Sequence, residues 1–146
     1  MSRSHVLVPA LVLVMSSFVH AQAPQYRARL SIVPIDVSMQ STIAGSGAVT
    51  ATLKGSTLTI SGTFNGLRTA ATVARVHRSP RTAMRGAPIG DLTATANTTG
   101  TISGSLELTK EQIDDLAAGR IYIQLHSEKA PDGNLWGWLL APEVKK

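Results

Sequence analysis

The stretch AVTATLKGSTLTISGTF, residues 48–64, decides the fold class. Val49, Ala51 and Leu53 alternate with threonines, and apolar residues at 58 and 60 repeat the same period of two after a Gly-Ser turn. Successive side chains of a β-strand point to opposite faces, so this alternation indicates strands with one apolar face. The stretch therefore predicts two neighbouring strands, residues 48–54 and 57–64, joined by a tight turn.

The remainder of the chain continues in the same way. Short segments rich in Val, Thr, Ile and Leu alternate with glycine-bearing turns, which is typical of an all-β sandwich or barrel. Residues 22–45 are less regular, with a possible first strand at 27–33 that Pro34 ends. The further predicted strands are residues 72–78, 88–93, 99–108, 121–127 and 134–140, the last two flanking a turn predicted at Ala130-Pro-Asp-Gly133.

One short helix is predicted at residues 110–118. Thr109 is a suitable N-cap, and Gln112 completes a capping box three residues later. Gly119 suits the left-handed position that ends a helix. A helix this short is marginal alone, so it is expected to connect two strands and to be held by packing.

The N-terminus has the pattern of a signal peptide over residues 1–21. Arg3 provides the basic start, residues 6–14 form the apolar core, and Ala21 is the expected cleavage position. The apolar run is too short to be a transmembrane anchor. We therefore expect a secreted or periplasmic protein.

About 125 residues remain after residue 21, enough for one domain. They keep 13 of the 14 basic residues against 9 acidic ones, a net charge of +4. The chain has no cysteine, which excludes a disulfide scaffold and a lipid anchor on cysteine. Stability must therefore come from an ordinary apolar core.

Four segments, in this order, resemble the CHRD (chordin-type) domain: TATLKGSTLTISGTFNGL, VARVHRSP, GTISGSLELTKEQIDDLAAGRIYIQLHS and PDGNLWGWL. The resemblance covers residues 46–141 and leaves 142–146 as a tail. It implies an antiparallel β-sandwich, immunoglobulin-like and related in outline to Cu,Zn superoxide dismutase, with the helix at about 109–119 as a connection. It also implies an extracytoplasmic setting, but a shared fold does not transfer an enzyme's chemistry.

The segment Arg75-Val76-His77 departs from the family pattern, which has histidine at both outer positions. Arginine has donors only and cannot bind a cation. Beyond the signal peptide the chain keeps only His77 and His126, whereas a catalytic zinc needs three protein ligands and a structural zinc four. The expectation is no cofactor; the alternative is a weak copper or zinc site, or a redox activity, at these two histidines with Asp91.

The largest charge asymmetry is a run without acidic residues between Lys54 and Asp91. Such a basic region can attract an extracytoplasmic protein, a polysaccharide or an anionic surface. Equally, its arginines can be solvated residues that aid solubility. No aromatic residue is interleaved, so nucleic acid is not an expected partner. The arginines of this run are Arg68, Arg75, Arg78, Arg81 and Arg85.

Two aromatic features complete the candidate surface. Tyr122 and His126 share a strand face, where they could form a site or make hydrogen bonds that fix the last hairpin. Trp136 and Trp138 also share a face. They are either an exposed patch for a partner, or part of the core under residues 22–45 or under Pro142 and the tail. The predicted binding residues are Arg75, His77, Arg78, Arg81, Arg85, Tyr122, His126, Trp136 and Trp138.

No enzyme class is indicated. The spacing suggests no Ser-His-Asp set, and the glycines match neither a phosphate-binding loop nor a dinucleotide fingerprint. Asp114 and Asp115 are the only adjacent carboxylates, and both are expected to face solvent from the helix. The sequence therefore favours an exported, non-catalytic binding or structural module, predicts no catalytic residue and leaves the oligomeric state open.

Overall fold

The computed structural model describes residues 21–143 except Thr82. The expected signal peptide lies outside these residues apart from Ala21, as does the end of the expected tail. The described chain forms the predicted all-β fold with one short α-helix. Its elements are β1 (Gln25–Ile32), a 3-10 helix (Val37–Met39), β2 (Ser46–Lys54), β3 (Thr57–Asn65), β4 (Ala71–Arg78), β5 (Ala87–Ala94), β6 (Gly100–Glu107), α1 (Lys110–Ala117), β7 (Ile121–Ser127) and β8 (Ala130–Trp138).

The strands close into an antiparallel barrel in the order β1-β2-β3-β6-β5-β4-β7-β8. The antiparallel all-β fold is thus as expected, but the sheet closes into a barrel and is not clearly the immunoglobulin-like sandwich that the resemblance implied. Long pairings run within two groups of four strands, and two short seams join the groups. At one seam only Thr93↔Ser103 and Ala94↔Ile102 pair, and at the other Ser31↔Trp136 and Ile32↔Leu135. Pairing at these two seams removes the exposed strand edges that a sandwich would leave.

The hairpin predicted from residues 48–64 is confirmed. Lys54 pairs with Thr57 and Leu53 with Leu58, in continuous register through β2 and β3. The apolar positions of both strands point into the barrel, where Leu58 and Ile60 are almost fully buried. Alternation with period two therefore identified the core side of these strands correctly.

The helix is confirmed together with its capping box. The Thr109 hydroxyl accepts from the Gln112 amide at 3.2 Å, and the Gln112 side chain accepts from the Thr109 amide at 3.0 Å. Gly119 ends the helix with a φ of 71°. Within residues 21–143, as far as they are described, no helix is both long and apolar enough to cross a membrane.

The turn predicted at residues 130–133 is wrong. The chain reverses at Glu128-Lys129, and Ala130 already pairs with Ser127 as the first residue of β8. The register then shifts between Ser127 and Leu125, so the strand bulges over residues 131–134. Proline has no amide to give to a strand ladder, which is why Pro131 is accommodated in a bulge.

Strand β7 is buried on both faces. Ile121, Ile123 and Leu125 belong to the barrel core. The alternate residues Tyr122 and His126 point out of the barrel, yet each is less than 10% exposed. Their outer side is covered by the loop of residues 79–87, whose last residue is also the first of β5, and by the β8 bulge. This covered outer face is where the candidate site lies.

Candidate functional site

Five of the sequence-predicted residues form one aromatic–histidine cluster on the outer face of β4, β7 and β8: His77, Tyr122, His126, Trp136 and Trp138. The register places His77 opposite Tyr122, and Tyr122 opposite Trp138. The ring centroids of His77 and Tyr122 are 4.8 Å apart, and those of Tyr122 and Trp138 are 5.0 Å apart. The two tryptophan rings are 4.7 Å apart, and the two histidine rings 6.5 Å apart.

Gly86 fastens the 79–87 loop to the cluster. Its carbonyl accepts a hydrogen bond from His77 Nδ1 at 2.9 Å, and its amide donates to the Tyr122 hydroxyl at 3.0 Å. A Cβ at this position would lie 1.8 Å from the carbonyl oxygen of Arg78. Only glycine allows this approach, so the sequence fixes the loop over the cluster by leaving out a side chain.

The β8 bulge fastens the other side of the cluster. The carbonyl of Pro131 accepts from His126 Nδ1 at 2.8 Å, and that of Asp132 accepts from Gln124 Nε2 at 2.7 Å. Gly133 follows with a φ of 129°. Two carbonyls that a regular strand would direct to a neighbour are thus turned towards side chains of β7. These bonds match the expectation that His126 helps to fix the final hairpin.

The two histidines are held in the same tautomer. Each Nδ1 faces a backbone carbonyl, which can only accept, so Nδ1 carries the proton and the neutral ring has a bare Nε2. Both Nε2 atoms are buried without a hydrogen-bond partner among the described residues. Buried polar atoms are normally paired, so these two unpaired acceptors are unusual.

The surroundings keep both rings neutral. Burial is the main cause that lowers the pKa of His77 below 6.5, and it is only partly opposed by the bond to Gly86. Burial likewise lowers the pKa of His126, against the bond to Pro131. The charges of Arg75 and Arg85 lower both pKa values further.

The two tryptophans are half-buried. Trp136 packs against the small cluster of Val33, Ile43 and Ala130, so residues from the N-terminal segment cover part of it. The guanidinium of Arg85 lies 5.4 Å from the centroid of the Trp136 ring. The pair therefore forms neither the fully exposed patch nor the fully covered core that the sequence left as alternatives.

Asp91 does not join the histidines. Its Oδ1 instead accepts a hydrogen bond from Arg75 Nε at 3.0 Å, within an ion pair between the two side chains. In the described part of the chain, no three His, Asp or Glu side chains are grouped so that they could share a metal ion. The alternative set of His77, His126 and Asp91 is therefore reduced to the histidine pair, because the arginine two residues before His77 takes up the carboxylate.

A second feature lies at the end of β4. A cleft of about 370 Å³ opens there, and two of its walls are arginines that share one carboxylate. Arg78 Nε and Arg120 Nη2 both donate to Asp115, whose side chain is only 4% exposed. We call this feature the arginine cleft; it is lined by Arg78, Ser79, Pro80, Gly86, Ala87, Asp115 and Arg120.

The arginine cleft was only partly foreseen from the sequence. Arg78 was predicted as a binding residue, but Asp115 was expected to face solvent, which is wrong. Of the adjacent pair only Asp114 is exposed, 3.8 Å from Lys110. Neighbouring helix residues differ by about 100° in direction, so one of two adjacent aspartates can be buried. Arg120 carried no sequence signal because its role depends on Asp115.

The predicted arginines are therefore separated by the structure. Arg75 and Arg85 border the aromatic–histidine cluster, and Arg78 lies in the arginine cleft. Arg68 precedes β4 and lies at the opposite end of that strand from Arg78, while Arg81 is exposed in the 79–87 loop.

Comparison with known proteins gives one match. The family model of the CHRD domain matches residues 28–139, most of the chain. No curated protein and no solved structure shows a significant match. The matched range spans both the aromatic–histidine cluster and the arginine cleft.

Proposed function

Since the chain belongs to the CHRD domain family, we propose that it is an exported, non-catalytic binding module whose arginine cleft takes an acidic group of an anionic polysaccharide. The observation that carries this proposal is the pair of guanidiniums, Arg78 and Arg120, that share the single buried carboxylate of Asp115 at the cleft. Family membership favours a module over an enzyme but does not identify its ligand.

The charge of the cleft suits an anion. Two guanidiniums against one carboxylate leave a net charge of +1 among its charged lining residues. Each guanidinium has five N–H donors in a planar fork, and Asp115 uses only part of them. Their side chains are 45% and 38% exposed, so donors other than the buried Arg120 Nε can be reached from solvent.

Asp115 also holds the arginines in place before a ligand arrives. Free arginine side chains lose rotamer entropy when they bind, and a fixed guanidinium avoids most of that loss. The buried carboxylate contacts both arginines, one from β4 and one from the residue before β7. The cleft is therefore organised for an acidic group with two oxygens that can accept parallel hydrogen bonds, such as a carboxylate or a sulfate.

The size and walls of the cleft favour a sugar ring that carries the acidic group. Its volume lies at the lower end of ordinary small-ligand sites. Pro80 and Ala87 add apolar surface beside the charged groups, which can pack against the face of a ring. The acid-free run between Lys54 and Asp91 provides a positive field that attracts a polyanion.

The proposal is tested by the binding of two polysaccharides, polygalacturonate with carboxylates and heparin with sulfates, and of polyglutamate as an acidic polypeptide. Affinities are measured by calorimetry at two salt concentrations. Arg78→Gln and Arg120→Gln should each weaken polysaccharide binding about tenfold, since a charge-assisted hydrogen bond contributes about 1.5–3 kcal/mol. Arg68→Gln, which removes the same charge at the other end of β4, should change the affinity less than about twofold.

Equal losses in all three variants would show non-specific attraction to charge and would reject the cleft as the site. Tighter binding of polyglutamate than of either polysaccharide would reject the ligand class. Circular dichroism of each variant verifies that the fold is retained, because Asp115 loses one partner in two of them.

A further inference from the structure

The second candidate feature is the pair of imidazoles, and it is independent of the anion proposal. His77 Nε2 and His126 Nε2 are both buried and lack a partner among the described residues. Their Nδ1 atoms are already used by the carbonyls of Gly86 and Pro131. We propose that these two Nε2 atoms bind one monovalent copper ion, Cu(I), between them.

The rings are prepared as metal ligands. A ligating histidine normally donates its other ring N–H to a backbone carbonyl or carboxylate, which fixes the tautomer and the ring orientation. Both histidines have this arrangement. Because burial keeps both rings neutral, no proton has to leave Nε2 before an ion binds.

The spacing of the rings agrees with a shared ion. Metal–nitrogen bonds to histidine are about 2 Å long, so two imidazoles on opposite sides of one ion have centroids roughly 6 Å apart. The centroids of His77 and His126 are 6.5 Å apart, and their ring planes are 29° from parallel. The separation therefore agrees with one ion between the rings to within about half an ångström.

The number of ligands selects the ion. Zinc takes three or four protein ligands, and no group of three is present in the described part of the chain. Imidazole is a good copper ligand, and a closed-shell monovalent ion such as Cu(I) is satisfied by two nitrogen donors in line.

The charges around the two histidines also favour a monovalent ion over a divalent one. Arg75 and Arg85 both act on the two histidines, and their repulsion of an ion is proportional to its charge. A divalent ion would therefore meet twice the repulsion of a monovalent one. Asp91, which pairs with Arg75 at 3.0 Å, reduces this repulsion without contacting the ion.

The inference is tested with silver, Ag(I), as an air-stable probe with the same charge and coordination preference, and with Cu(I) under anaerobic reducing conditions. Nitrogen NMR of the imidazoles follows each Nε2, and a competing chelator gives the affinity. One ion should bind per chain, and the Nε2 signals of His77 and His126 should shift together. His77→Gln and His126→Gln should each weaken binding at least about 100-fold, because loss of a ligand exceeds the 10–100-fold effect of losing an outer partner.

The control removes a different soft donor near the cluster. Beyond residue 21 the chain has no third histidine, so the control is Met84→Leu, which removes a thioether that is 47% exposed in the 79–87 loop. This change should alter neither the stoichiometry nor the affinity by more than about twofold.

Arg75→Gln tests the electrostatic argument, because the expected effect is a higher affinity for the ion, and a folding defect would lower the affinity. Removing this like charge should tighten Ag(I) binding several-fold. Wild-type binding no stronger than that of a His77→Gln, His126→Gln double variant would overturn the inference. So would loss of binding in Met84→Leu, or an affinity of Arg75→Gln at or below that of the wild type.

Discussion

Asp115 pairs with two arginines, so the substitution Asp115→Asn should lower the stability of the fold measurably. Asparagine keeps the shape of the side chain but removes its charge. Its carbonyl can still accept from one arginine, while its NH₂ group faces the other guanidinium with donor against donor. The change therefore keeps both arginine side chains in the protein but removes the negative charge that pairs with them.

The magnitude follows from burial. Removing one partner from a fully buried ion pair costs about 3–5 kcal/mol. The carboxylate is 4% exposed, but the arginines are 45% and 38% exposed and can recover part of their hydration. Discounted for this screening, we expect a loss of about 2–3 kcal/mol in the free energy of unfolding. For a domain of this size that is a fall of about 10 °C in Tm.

The assay is urea denaturation followed by far-UV circular dichroism, with Asp114→Asn as the control. The control makes the same chemical change at the neighbouring helix position, where the side chain is 68% exposed and its pair with Lys110 is at 3.8 Å. Asp114→Asn should cost less than about 0.5 kcal/mol. Equal effects of the two substitutions, or a more stable Asp115→Asn, would refute the argument that a buried carboxylate organises the cleft.

Two further predictions concern the outer face of β7. Because the folded state lowers the pKa of His77 and His126 below 6.5, the unfolded chain takes up protons first on acidification. Urea denaturation at a series of pH values should give a free energy of unfolding that does not change well above pH 6.5. Below pH 6.5 it should fall, by up to about 2.7 kcal/mol per pH unit for two groups. A His77→Gln, His126→Gln variant should show a smaller fall, and an equally steep fall would exclude these histidines as the cause. Gly133→Ala would put a Cβ 2.0 Å from Gln124 Nε2, whereas Gly55→Ala, also at positive φ, meets open space. Urea midpoints should show that the first costs at least about 1 kcal/mol more than the second, and similar losses would mean that the bulge yields easily.

Local patterns predicted the local structure well. Alternation identified the faces of β2 and β3, and the pairing of Thr109 with Gln112 identified the start of the helix. In both cases the signal lies between residues close in sequence. The turn before β8 failed although it is also local, because Pro131 and Gly133 suit a bulge as well as a turn and only the partner strand distinguishes the two.

Closure of the barrel could not be read from the sequence. It depends on two seams of two residue pairs each. One joins the consecutive strands β5 and β6 by a short pairing, and the other joins β1 to β8, which are far apart in the chain. The apolar pattern of each strand is the same in a sandwich and in a barrel, since one face is buried in both. The arginine cleft depends in the same way on Arg78, Asp115 and Arg120, which come from three separate elements.

The aromatic–histidine cluster lies between these two cases. Sequence patterns indicated that Tyr122 shares a face with His126, and Trp136 with Trp138, but not that loops cover that face. The cover consists of polar backbone bonds from Gly86, Pro131 and Asp132. Those bonds use one nitrogen of each imidazole and leave the other buried. An apolar cover would have stabilised the same face by burial without leaving acceptors to satisfy. The cover present here leaves the Nε2 atoms of two imidazoles unpaired, in rings whose centroids are 6.5 Å apart. This makes the outer face of β7 a stronger candidate for binding than its burial alone suggests.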